Sequence, residues 1–367
     1  MIPVFDYLRG YEQIRGEVEA ALRRAIGSGH LILGPEGEAF EREFAAYVGA
    51  SHAVAVGSGT GAIVIALRAL GIGRGDEVIT VSHTAAATVG AVREAGATPR
   101  MVDVDHDSLL IDPGRIEERI GPRTRAIIPV HLYGRPAAMQ AISEIAARHG
   151  LAVVEDCAQA HGARIADRHV GTFGAIGCFS FYPTKNLGAL GDGGLCVTGD
   201  ARLAERMRQL RFHGFDARRT AQIEGLNSRL DELQAAVLRV KLRYLETWLS
   251  ARRRIARQYL EMLSDTGLCL PQCAQGAEHA WHLFVVRCGR RARLIERLTR
   301  SGIGCGIHYP VPVHLMPAYE HLGCARGSLP VTERAAEEVL SLPMFPELAE
   351  EEVRSVCRAV VDALRGA

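Results

Sequence analysis

At 367 residues, with 48% hydrophobic and 23% charged positions, the chain has the balance of an ordinary globular protein. It has room for two domains, or for one layered domain with an appendage. A formal net charge of +1 at pH 7 gives nothing that would draw the whole molecule to nucleic acid or to an anionic membrane.

Between residues 50 and 200 one beat recurs: short apolar run, turn, amphipathic helix, short apolar run. HAVAV (52–56) reads as a buried strand and TGAIVIALRAL (60–70) as a helix. DEVITVS (76–82) is a strand followed by helical TAAATVGAVREAG. PRMVDVD (99–105), RAIIPVHLYG (125–134) and LAVVED (151–156) repeat the strand pattern, with AAMQAISEIAARHG a helix between the last two. Such alternation predicts a mostly parallel sheet covered on both faces. Ligands of such sheets collect at the loops beyond the carboxyl ends of the strands.

After Asp200 the beat stops. ARLAERMRQLRF is helical, and SRLDELQAAVLRVKLRYLETWLSARRRIARQYLEML reads as one long helix with an apolar stripe at helical spacing. HAWHLFVVRC and GIGCGIHYP read as strands around the helix RARLIERLTRSG, and helices around 331–341 and 349–365 close the chain. The expected organisation is a main α/β domain over 14–240 and a smaller α+β domain over 241–367, joined by the long helix, with 1–13 as an N-terminal segment.

No apolar run approaches the roughly 20 residues of a membrane span, and the opening MIPVFDYLRGYEQIRGEVEAAL has no hydrophobic leader core. The nine cysteines form no C-x-x-C pair, and Cys269 and Cys273 lack partners at zinc-site spacing. Reduced thiols, a cytoplasmic location and no metal are therefore expected.

Three features carry chemistry. In VAVGSGTGAIVIAL a strand ends, a glycine-rich turn follows and a helix begins. Its first N–H groups and dipole suit an anion, and Thr60 can add a hydroxyl. A tight turn with an N-cap explains the same residues, and neither a full dinucleotide fingerprint nor a P-loop is present. In LAVVEDCAQAHGA, alternation sends Glu155 and Asp156 to opposite sides, and a buried Asp156 needs a cation or a donor. A salt bridge, a cap or catalysis would each meet that need. Gln159 and His161 follow within reach of a ligand, though His161 also reads as packing.

The third feature is a lysine. The chain has 43 Lys and Arg residues, of which only Lys185 and Lys241 are lysine. Lys241, in AAVLRVKLRYLE, reads as a snorkelling helix residue. Lys185 follows the apolar strand CFSFY with no acidic neighbour in sequence. Desolvation would leave its amine nucleophilic enough for a Schiff base, which arginine cannot form. A phosphate cradle, a strand-end Asp and a desolvated Lys together point to pyridoxal 5'-phosphate.

On six co-ordered segments the chain resembles the pyridoxal-phosphate sugar aminotransferases of the DegT/DnrJ/StrS type. They read GPEGEAFEREFAAYVGA, GSGTGAIVIAL, VEDCAQAHGA, FSFYPTKNLGALGDGG, GLNSRLDELQAAVL and IHYPVPVH. The resemblance covers nearly the whole chain and implies the aspartate-aminotransferase-type fold (fold type I). It implies Lys185 as the covalent anchor and proton carrier, Asp156 at the pyridine nitrogen and Gln159 beside the ring. It places Gly59, Thr60 and Ser180 on the phosphate.

Asn227 would reach the phosphate of the neighbouring subunit, making a homodimer with shared active sites. On its own residues, Asn227 reads instead as an N-cap of the long helix. Where relatives place an aromatic ring over the cofactor this chain has Ala85, so that His83 or another group would have to cover the ring. Tyr309 and His314 are candidate sugar-nucleotide contacts, or core residues.

The implied reaction is transamination from an amino acid, glutamate, to a keto group on a nucleotide-linked (dTDP- or UDP-) deoxy-hexose, in amino-sugar biosynthesis of the kind found in antibiotics. Two alternatives stand beside it: glutamine-dependent transfer to a cyclitol ketone, and a non-catalytic regulatory homologue.

Overall fold

Continuous apolar runs make the strands. In the computed structural model, which describes residues 1–365, these are β1 His52–Val56, β2 Glu77–Val81, β3 Thr98–Val102, β4 Thr124–Ile127, β5 Ala152–Asp156, β6 Arg164–Ile165, β7 Arg168–His169, β8 Ile176–Ser180, β9 Gly194–Thr198, β10 Ala277–Glu278, β11 Phe284–Arg287 and β12 Val339–Leu342. Seven of them form the main sheet in the order β1-β9-β8-β5-β4-β2-β3. The pairs β8–β5, β5–β4, β4–β2 and β2–β3 are parallel, and β9 runs against both its neighbours. The expected mostly parallel sheet is present.

The longer helices are α1 Tyr7–Gly27, α2 Pro35–Val48, α3 Gly59–Ala69, α4 Ala86–Glu94, the single turn α5 Pro113–Ile116, α6 Met139–His149, α7 Ala201–Arg211, α8 Glu232–Leu242, α9 Leu245–Leu263, α10 Arg291–Arg300, α11 Pro330–Glu338 and α12 Glu350–Arg365. On one sheet face Ile63, Val64 and Leu67 of α3 pack with Val92 of α4 and Met207 of α7 over Val54, Val78, Val154 and Cys178. On the other face, Phe40 and Phe44 of α2 and Leu238 of α8 cover β8 and β9, and Ile142 of α6 covers β2, β4 and β5. These three layers are the physical reason the strands read as unbroken apolar runs. A further core gathers Ile255, Phe284, Leu298, Leu342 and Val356, with Ile2 and Phe5 of the N-terminal segment against it. Residues 366–367 of the expected second unit lie outside the described residues.

Three expectations are corrected. The long helix is two, because the chain steps through a turn at Arg243 and Tyr244, with Tyr244 N–H bonded to Lys241 O at 3.0 Å. No Gly or Pro marks the step. α8 packs on α1 and α9 on α12, so tertiary packing overrides a helical pattern that is continuous in sequence. GIGCGIHYP forms no strand and makes only single bridges, from Ile303 to Ile2 and from Gly306 to Ser341. The strand antiparallel to β11 is instead β12, which begins inside the segment read as helix 331–341. Among the described residues no helix is long and apolar enough to cross a membrane.

Candidate active site

The first wall is built where β1 turns into α3. Ser58 caps the helix, its Oγ accepting from Gly61 N–H at 3.0 Å, while Gly59 and Thr60 N–H carry no bond among the described residues. These free donors at the positive end of an 11-residue helix suit an anion. Ser180, the last residue of β8, lies against them. A Cβ on Gly59 would stand 2.5 Å from Ser180 Cβ, so only glycine lets the helix start approach the strand end. Ser228 Oγ accepts from Gly57 N–H at 3.2 Å and completes the rim. Nothing in the sequence pointed to Ser228 except its place beside Asn227.

The second wall is the end of β5. Glu155 faces away from the site. It is fully buried, accepts from Gly171 N–H at 2.8 Å and Gly174 N–H at 2.7 Å, and meets His131 Nε2 at 3.1 Å. His131 Nδ1 accepts from Ala137 N–H, so Nε2 carries the proton and donates to Glu155. Asp156 turns the other way, as alternation predicted. Its Oδ2 accepts from Thr88 Oγ1 at 2.8 Å and its Oδ1 from Ala158 N–H at 3.1 Å. Burial pushes the Asp156 carboxyl up, against the Thr88 and Ala158 bonds and the Lys185 charge. With one hydroxyl and one amide, this buried carboxylate has no directly bonded cation among the described residues. Thr88, on α4, is the partner that sequence reasoning missed, because 68 residues separate it from Asp156.

Lys185 supplies the reactive group. Its backbone N–H closes a turn onto Tyr182 O at 2.8 Å, and its side chain is half-buried. Desolvation pulls the amine down to about 8, with the Asp156 charge opposing. The sequence suggested the direction, although an acid absent from the local sequence does lie near in space. Lys185 Nζ makes no hydrogen bond among the described residues. Beside it, neither ring nitrogen of His161 nor Asn186 Oδ1 has a hydrogen-bond partner among the described residues.

Gln159 links two further groups: Oε1 accepts from Tyr133 N–H at 2.6 Å and Nε2 donates to Tyr309 OH at 3.1 Å. Tyr309 thus stands at the site edge, its hydroxyl pushed up to about 12 by burial and by the Asp156 charge. His83 Nε2 meets Tyr133 OH at 2.8 Å, and that hydroxyl also donates to His308 O. His83 is buried and held down to about 4, so it is neutral near pH 7. Ala85 lies just before α4, half-buried.

Two candidates stand differently. His314 is 1% exposed, with Nδ1 on Ser82 Oγ at 2.7 Å and Nε2 on Glu333 Oε1 at 3.2 Å, so both ring nitrogens are engaged within the fold. Asn227 is exposed and is no helix cap: α8 starts at Glu232 with Asp231 before it, and Asn227 bridges Phe212.

The residues present fit pyridoxal phosphate on their own chemistry. A cradle of free N–H groups and hydroxyls, a buried carboxylate in need of a cation and an unbonded amine near its ionisation point meet at one end of the sheet.

Comparison with known proteins agrees. The model of the DegT/DnrJ/EryC1/StrS aminotransferase family matches residues 12–361. The erythromycin biosynthesis sensory transduction protein EryC1 of Saccharopolyspora erythraea is 52% identical over 351 residues, covering 95% of this chain and 96% of that protein. The dTDP-3-amino-3,4,6-trideoxy-alpha-D-glucose transaminase of Streptomyces venezuelae is 50% identical over 365 residues, covering 99% and 95%. The crystal structure of S. venezuelae DesV in complex with a ketimine intermediate superposes with a TM-score of 0.97 at 50% identity, covering 98% of each chain.

Proposed function

The chain belongs to the DegT/DnrJ/EryC1/StrS aminotransferase family, and from that premise we propose that it transfers the amino group of L-glutamate to a keto carbon of a dTDP- or UDP-linked deoxy-hexose, as a cytoplasmic homodimer in amino-sugar biosynthesis. The observation that carries this reading is the meeting of Lys185, Asp156 and the Gly59–Thr60–Ser180 cradle at one end of the sheet.

Pyridoxal phosphate would be held by the Gly59 and Thr60 N–H groups and the Ser180 hydroxyl at its phosphate, by Asp156 at its ring nitrogen and by Lys185 covalently. Bound there, it supplies the electron sink for moving an amino group between carbon atoms. Asp156, raised by burial and oriented by Thr88, holds a proton at the ring-nitrogen side. Lys185, with its amine at about 8, takes up and returns protons near neutral pH. Gln159 and Tyr309 close the wall beside them.

Two features support sharing of the site between subunits. Asn227 is exposed rather than spent on its own helix. Leu31 and Ile32, 52% and 40% exposed, lie beside the same loop through the bridge from Ile32 to Asp231, and Tyr182 beside Lys185 is 53% exposed. Large apolar side chains left open around a site mark a surface that a second copy covers.

The test is to load the purified protein with pyridoxal phosphate, supply nitrogen-labelled glutamate and a panel of dTDP- and UDP-keto-hexoses, and weigh the products. A labelled amino-sugar nucleotide is expected. An absorbance band indifferent to Lys185→Ala, or label that enters only a cyclitol ketone and only from glutamine, sinks this reading.

A further inference from the structure

The second lysine of the chain is not a surface residue. Lys241 is 7% exposed, and its Nζ donates to Gly188 O at 2.6 Å. The sequence reading as a snorkelling side chain fails because α8 is packed on both sides: α1 covers one face and the loop after Lys185 covers another.

Seven residues earlier on the same helix, Gln234 Oε1 accepts from Leu190 N–H at 2.8 Å. Residues seven apart share a helix face. One face of α8 therefore grips the Lys185 loop at two carbonyl or amide groups. The loop is itself tight. A Cβ on Gly188 would stand 2.4 Å from Pro183 O, Lys185 N–H bonds Tyr182 O, and Ala189 N–H bonds Phe181 O at 2.8 Å. A shift of Gly188 is therefore passed to Lys185.

Holding an ammonium there is costly. Its one acceptor is a neutral carbonyl, the Tyr7 ring lies 5.3 Å from Nζ, and no carboxylate bonds it among the described residues. A buried charge paired so weakly is weak evidence for stability. It also lines, with Lys185, a cavity of about 50 Å³ to which Asp6, Tyr11, Arg252 and Glu347 contribute. Burial pulls its amine down to about 8, with the Glu347 charge opposing. Such a residue in a chain otherwise built with arginine has a task other than solvation.

We propose that Lys241 is a positioning residue: by bonding Gly188 O it fixes the Pro183–Gly188 turn so that the Lys185 side chain leaves toward Asp156. The inference rests on the reading of Lys185 as the covalent anchor of pyridoxal phosphate.

The test follows the rate at which Lys185 becomes a borohydride-reducible adduct at limiting pyridoxal phosphate, located by peptide mass. It is paired with the pH midpoint of the bound-cofactor absorbance and with the melting temperature. Lys241→Met removes a buried charge but leaves Gly188 O without its donor, so its melting temperature is read beside the rate to separate positioning from stability. The variant should load more slowly, by up to about a hundredfold, the loss that a 1 Å misplacement of a reacting group produces, with a shifted midpoint. Lys241→Arg, which keeps a donor, should recover most of the rate. Loading of Lys241→Met at the natural rate overturns the proposal, as does a folded Lys241→Arg that is as slow as Met. If Lys241→Met does not fold, Lys241→Gln takes its place and must show the same slowing; full speed there overturns the proposal. An adduct absent from the natural chain would remove the reading of Lys185 as well, so the two failures are distinct.

Discussion

Glu232 caps a helix that begins almost two hundred residues before it: its Oε1 accepts from Gly37 N–H at 2.8 Å. The same carboxylate accepts from Gly34 N–H at 3.0 Å and from Glu36 N–H at 2.8 Å. The N-cap position of α2 is Gly34, which has no side chain to offer. A charge from the first residue of α8 does the capping instead, where the helix dipole favours an anion. Glu232 is 1% exposed. Glu232→Ala would leave three amides without their acceptor and is expected to cost about 3 kcal/mol, from cap loss plus unsatisfied buried donors. Urea unfolding checks this, with Glu232→Gln falling between the two. A loss below about 0.5 kcal/mol, the range of neutral surface changes, would contradict the assignment.

Burial dominates the ionisation of both Lys185 and Asp156, and the charge of each opposes the shift in the other. Desolvation lowers the amine to about 8, and the Asp156 charge is what keeps it from falling further. In the cofactor-free protein, acetylation of Lys185 at limiting reagent should rise with pH to a midpoint near 8 rather than near the usual lysine value. Asp156→Asn removes the opposing charge, so its midpoint must move below that of the natural chain. Peptide mass spectrometry across pH 6 to 11, a range spanning about two units below the midpoint and the ordinary lysine value, reads both. A natural midpoint near 10, or an upward move in Asp156→Asn, contradicts the electrostatic picture.

Thr88 is expected to act through Asp156 alone. Its hydroxyl donates to Oδ2 and favours the charged carboxylate. Thr88→Val keeps the shape and removes the donor, so the carboxyl rises further and holds a cationic ring nitrogen less well. Pyridoxal phosphate affinity should fall about tenfold, the worth of a hydrogen bond to a charged group. Thr88→Ser should restore it, as read by absorbance titration. Equal affinity in Thr88→Val would show that Thr88 only packs.

What could be read from the sequence, and what could not, divides along one physical line. β1 and β5 lie where their apolar runs place them, because a strand buried on both faces needs no partner to be recognised. Lys185, Asp156 and Gly59 were singled out because their chemistry is local: an amine beside an apolar strand, an acid at a strand end, a glycine turn at a helix start; Ser180 came only from the family resemblance. Lys241, Thr88 and Ser228 could not be read in this way, since each acts on a group brought near only by the fold. The same holds for the break at Arg243 and for β12, whose pairing with β11 crosses more than fifty residues of sequence. Asn227 misled for a related reason: its residue type suits a cap, but the cap position belongs to Asp231.

Asn227 also yields the sharpest test of subunit sharing. Lys185 belongs to its own chain's turn, whereas Asn227 is exposed on a loop whose neighbours include the uncovered Leu31 and Ile32. If Asn227 completes a partner's site, Lys185→Ala and Asn227→Ala homodimers are each impaired for different reasons. A hybrid then holds one site with both defects and one with neither. Mixing the two inactive variants under exchange should therefore restore up to half the natural activity per hybrid dimer, a closed two-fold arrangement giving one intact site of two. Hybrids can be isolated with two affinity tags and assayed against each parent. Hybrids that form but stay inactive, or full activity in a monomer, would show that each chain builds its site alone.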